Sequence, residues 1–207
     1  VCGFFLPQFF LRYYGSAANG LVSSITQFLA LITLCEGGVG AVVQSALYRP
    51  IAEKNDIEIS KVYKSSTKFH NKIALVLVVY MIGLIFFFPI IIRNEFDVIY
   101  TGVLIVAITL NLLAQHYLAM TYRLILSAAQ LSYIQSITSI VCVIANTVLS
   151  IVFMMLGASI HLVKLMSSIL FLLQPIVYRM AVRKRFKINS KIELKEEPIK
   201  QKWNGFT

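Results

Sequence analysis

Charged side chains are absent from residues 73–92, 98–122 and 124–163. Uncharged apolar runs of about 18 residues or more predict membrane-spanning helices, because hydrocarbon offers no solvent for unpaired backbone groups. The pattern resolves into six helical pieces. The first, residues 1–11, is short and is closed by 7–12 and a turn over 15–20. A second runs from about residue 20 to 48, uncharged except for Glu36, with Gly37, Gly38 and Gly40 just past its middle. The polar stretch 49–72 sets Ile57, Ile59, Val62, Tyr63 and Phe69 among lysines, which reads as an amphipathic interfacial helix. The third span is 73–92, ended by a charged turn at 93–97. The fourth is 98–122, followed by a short link over 123–130. A fifth, 131–156, and a tight connection at 157–159 lead to a sixth, 160–182, in which Pro175 removes a backbone donor and predicts a kink. The dyad alternation of an outer-membrane barrel is missing.

Composition agrees with this pattern. Of 207 residues, 58% are hydrophobic and 14% charged, with a mean hydropathy of +0.77, against about 45–50% and about 25% in soluble domains. That excludes an ordinary soluble globule. The fold class expected is all-α, a polytopic transmembrane bundle of five full spans plus a clipped first helix. Residues 1–182 form the bundle, and 183–207 form a basic cytoplasmic tail or inter-lobe linker. The chain begins without methionine, and the run before Arg12 lacks a charged leader and a cleavage site. It therefore reads as a fragment. Cys2, Cys35 and Cys142 lie in apolar stretches, form no C-x-x-C pair and read as small buried hydrophobes.

The basic residues orient the bundle. Six Lys and Arg fall in 49–72, one is Arg123 and nine lie from Arg179 onward, against only Arg12 and Arg93 on the other side. By the positive-inside rule the richer side is cytoplasmic. The net charge of +10 is thereby explained by topology and attraction to anionic lipid. Without a zinc-finger or stacking-aromatic motif, nucleic acid is not an expected partner.

Motifs for catalysis are absent. His70, His116 and His161 are scattered without metal-ligand spacing, and there is no P-loop. No catalytic residue, metal or cofactor is expected, and the chain does not read as an enzyme. Gly37, Ala41 and Ser45 are spaced i, i+4, i+8 and form a smooth face suited to close helix packing or hinging. Glu36, near mid-span, must be protonated, paired or facing water. It reads either as a coupling or cavity group or as a structural partner. Lys164 lies about one turn inside the sixth helix and either snorkels to the headgroups or faces a cavity anion. Asn111, Gln115 and His116 make a polar stripe, for helix–helix hydrogen bonding or a cavity lining. Arg123 sits at the membrane boundary, as a topology anchor or as a gate or headgroup contact.

Several of these segments carry a resemblance. Pro7-Gln8-Phe9-Phe10-Leu11-Arg12-Tyr13-Tyr14-Gly15 with Asn19-Gly20-Leu21 resembles the outer turn after helix one of bacterial polysaccharide and oligosaccharide flippases of the MOP superfamily. Leu34-Cys35-Glu36-Gly37-Gly38-Val39-Gly40, then 45–53, continues the likeness, as do 123–130 and Tyr133-Ile134. The family's acidic residue in helix two is usually aspartate, here Glu36. The resemblance implies two lobes of repeat-built helices around a central cavity, of which this chain is most of the first. It also implies transport of lipid-linked oligosaccharide from the inner to the outer leaflet of a bacterial cell membrane, by alternating access. The partners implied are that substrate, membrane lipids, the missing second lobe and polysaccharide-assembly proteins. Two other readings stay open: a cation-coupled multidrug or metabolite antiporter of the same superfamily, and a membrane-embedded glycosyltransferase or polymerase. The short outer turns speak against the last.

Overall fold

The computed structural model describes residues 2–31, 38–91 and 96–189, and every regular element among them is a helix. Helix α1 spans Cys2–Ala30, α2 Val39–Ala52, α3 Asp56–Ile91 and α4 Val98–Leu112. A π-helical turn, Leu113–Leu118, joins α4 to α5, Ala119–Ala128. Helices α6, α7 and α8 are Ser132–Met155, Ile160–Phe171 and Leu173–Arg185.

Three stretches among the described residues are long and apolar enough to cross a membrane: Asp56–Phe88, Ser132–Met155 and Ile160–Arg185, with Val98–Leu112 a shorter apolar helix. Their outward faces are greasy. Leu75, Val79 and Phe86 on α3 are 66%, 63% and 71% exposed, and Ile140, Val141 and Val148 on α6 are 58%, 59% and 58% exposed. Apolar surface on that scale fits hydrocarbon rather than water. The described residues form an all-helical bundle compatible with a membrane protein.

The core divides into two clusters stacked along the long helices. One gathers Leu21, Ile25 and Leu29 of α1, Leu77 and Phe88 of α3, Leu104 and Ile105 of α4, and Ile160 and Val163 of α7. The other gathers Val43 and Leu47 of α2, Ile59 and Val62 of α3, Ile125 and Leu126 of α5, and Tyr178 and Val182 of α8. Hydrogen bonds lock the helices across the interior. Tyr14 Oη donates to Ala158 O at 2.6 Å, Ser168 Oγ to Ala107 O at 2.7 Å and His161 Nε2 to Tyr100 O at 2.9 Å.

Several sequence expectations are corrected. The interfacial helix over 49–72 does not form. Residues 49–52 finish α2, and α3 then runs unbroken from Asp56, because no Gly or Pro interrupts it before Gly83. Its Ile59 is fully buried and Val62 is 3% exposed, so one face of this stretch packs against the other helices. The expected turn over 15–20 shrinks to Gly15, whose φ of 82° and ψ of 172° split α1 into two arms. Only glycine takes that backbone readily. The expected single helix over 20–48 ends at Ala30 and restarts at Val39 after Gly38, which caps α2 in the left-handed region at φ 76°. Within α2 the buried face is Val39, Val42, Val43, Ala46, Leu47 and Pro50. Ala41 is exposed, so the small-residue face is not what packs α2 into this bundle.

The link over 123–130 is also mostly helix, since Leu124, Ile125, Leu126 and Ala128 are buried. Only Ala129 and Gln130 turn. The sixth helix is interrupted near Pro175, for one residue at Leu172, in the turn before the proline, which has no N–H to donate. Helix α8 then continues to Arg185, three residues into the expected tail. Beyond it, Asn189 N–H donates to Ser60 Oγ at 3.0 Å, tying the following segment to α3.

Candidate functional site

Both composite rods are irregular at the level where the two core clusters meet. The α4–α5 rod carries its π turn there, and the α7–α8 rod its break. Such interruptions leave backbone groups free to serve a site, and broken membrane helices often border ligand cavities.

Two cavities lie along this seam. The smaller, about 220 Å³, opens between α1, α4 and α7 and is lined by Thr26, Leu29, Ile108, Asn111, Leu112, Lys164 and Ser168. The Lys164 ammonium stands 4.5 Å from the centroid of the Phe10 ring, a cation–π contact that partly replaces lost hydration. Its stem belongs to the half-buried interior rather than reaching free of the bundle. From residue 124 to 178 Lys164 is the sole charged side chain, so the cavity wall carries a positive charge in an otherwise neutral run.

The larger cavity, about 440 Å³, lies between α3, the π turn with α5, and the α7–α8 break. On its wall is a hydroxyl and imidazole cluster. His70, 2% exposed, donates from Nδ1 to Ser66 O at 2.8 Å, while Ser66 Oγ lies 3.2 Å from Thr121 Oγ1. Beside it the Tyr63 and Tyr122 hydroxyls meet at 2.8 Å. Thr67 Oγ1 is buried with no hydrogen-bond partner among the described residues.

Of the sequence candidates, Asn111 and Lys164 come together on the smaller cavity. Gln115 and His116 fall within the π turn. Arg123 is exposed on α5 and joins neither cavity; its carbonyl accepts from Gln135 Nε2 at 2.8 Å. Glu36 and Gly37 lie outside the described residues, as do Cys35 and most of the turn over 93–97.

The sequence reading missed the His70 cluster. Its signal was Ser66 and His70 at i, i+4, the spacing that puts two side chains on one helix face. Assigning 49–72 to the membrane surface concealed it. Among the described residues no group of three or more His, Cys, Asp and Glu side chains is placed to hold a metal ion. Compared with families of proteins, with curated proteins and with solved structures, the chain matches none.

Proposed function

We propose that the chain is most of one lobe of a transporter that carries lipid-linked oligosaccharide, a polyprenyl-pyrophosphate sugar, from the inner to the outer leaflet of a bacterial cell membrane. The observation that carries this reading is the placement of Lys164. An ammonium held among three apolar helices beside Asn111, Thr26 and Ser168 suits an anionic group with neighbouring hydroxyls. Burying a cation in a span is costly, and an anionic cargo offsets that cost. The sequence resemblance to polysaccharide flippases points the same way. The helix interruptions at the π turn and Leu172 supply the bending points that alternating access needs. Among the described residues the charge lining this cavity is positive, which suits an anionic cargo better than a cation. The glycan-transport reading has the basic loops cytoplasmic and the second lobe completing the central cavity.

The test is reconstitution of the whole protein into liposomes with a fluorescent lipid-linked sugar. Translocation above protein-free liposomes is expected. Background translocation by folded protein would overturn the assignment. Topology is checked separately. Lys54, in the α2–α3 turn, is expected inside, and Ser159, at the start of α7, outside. An impermeant thiol reagent on intact cells should label Ser159→Cys and spare Lys54→Cys; the reverse labelling would invert the orientation.

A further inference from the structure

Two cations mark one boundary of the bundle. The uncharged run of α3 begins directly after Lys72, and the run that follows Lys164 ends at Arg179 on α8. In a bilayer the headgroup phosphates lie at such a boundary. In the fold these two cations flank connected spaces. Arg179 lines the 440 Å³ cavity, Lys72 lines a groove along α3, and Tyr63, Thr67 and Asn71 line both. The groove also carries Lys68 and Lys64, one and two helical turns before Lys72. Among the described residues no acidic side chain lines either space.

We propose that this cavity and groove form a binding site for the phosphate of an anionic lipid. Arg179 and Lys72 supply charge-assisted hydrogen bonds, with the planar guanidinium able to engage two phosphate oxygens. The Asn71 amide and the buried Thr67 hydroxyl, whose oxygen has no protein partner among the described residues, add neutral donors. A volume of about 440 Å³ falls within the range of small-ligand sites. The rim decides for a lipid over a free anion. Leu75 on the groove and Ile176 on the cavity are 66% and 52% exposed, so apolar chains have a surface to follow beside the phosphate donors. The inference goes beyond the transport reading, because the site holds a lipid phosphate whether or not the chain moves one.

Native mass spectrometry of the full-length protein, released from detergent with added lipid, tests this without any transport step. The probes are phosphatidic acid, phosphatidylcholine and inorganic phosphate. Retention of phosphatidic acid over phosphatidylcholine is expected. The double variant Arg179→Gln, Lys72→Gln should lower that retention about a hundredfold, roughly tenfold for each charge-assisted hydrogen bond lost. Lys184→Gln removes an exposed cation of α8 that lines neither space, and should leave retention unchanged. Thr67→Val, which keeps the side-chain shape, should weaken retention without lowering the melting temperature. Equal retention of both lipids overturns the site. So does wild-type retention by the double variant, or an equal loss in Lys184→Gln. Displacement of phosphatidic acid by equimolar inorganic phosphate overturns its assignment to a lipid.

Discussion

Lys164→Met in the whole protein is expected to lower surface-polysaccharide export about tenfold to a hundredfold in a strain lacking its own flippase, at an unchanged membrane level. Methionine keeps the length and apolar character of the stem, so packing against Phe10 and α4 is preserved. What disappears is the ammonium that lines the cavity with Asn111 and Ser168. A hydrogen bond to a charged group contributes about 1.5–3 kcal/mol, and about 1.4 kcal/mol is a factor of ten. Lys164→Arg retains the charge in a bulkier, planar form and should recover part of the export. Wild-type export by the methionine variant would remove Lys164 from the mechanism and leave the ammonium a structural cation over an aromatic ring.

The largest loss of stability is expected at Phe88. This side chain is 1% exposed and meets Phe28 edge to face, with centroids 5.6 Å apart and planes at 89°. It joins α3 to the second arm of α1, a contact reinforced about two turns earlier on α3 by Tyr80 Oη donating to Phe28 O at 3.1 Å. In lipid little hydrophobic drive remains between helices, so packing and dispersion carry the association. Truncation of Phe88 leaves a cavity with nothing to fill it, and Phe88→Ala should cost about 3–5 kcal/mol. Phe86, two residues earlier and 71% exposed, is the control: Phe86→Ala should leave unfolding in detergent near wild type. Equal losses at the two positions would mean that the α1–α3 contact is not a core contact.

Helix content and several boundaries were legible because they follow from charge-free runs and from Gly and Pro. The start of α6 and the α6–α7 turn come within a residue or two of the expected positions, since Gly157 and Ser159 punctuate an otherwise apolar stretch. The break before Pro175 was equally readable. Lysine density was the misleading signal. In 56–72 it suggested a surface helix, yet the lysines occupy one side of α3 while Ile59, Val62, Ser66 and His70 occupy the buried side. Periodicity alone does not say whether the opposite face meets lipid or another helix. The π turn left no mark either, because nothing in Leu113–Leu118 forbids an ordinary α-helix. For the site, Lys164 and Asn111 stand out as polar groups in apolar runs. Their meeting across α4 and α7 depends on tertiary packing that no local pattern encodes.

The π turn has a consequence for insertions and deletions. A π-helical bond closes over five residues rather than four, so the segment Leu113–Leu118 holds more chain than an α-helix needs for the same rise. Removing one residue from a regular α-helix turns everything downstream by about 100°, which here would rotate the core face of α5 away from α2 and α8. Removing one residue within the π turn instead lets the segment relax to α-helix while α4 and α5 keep their facing. The rod therefore contains one place where chain length can change without changing register, and that place adjoins the larger cavity.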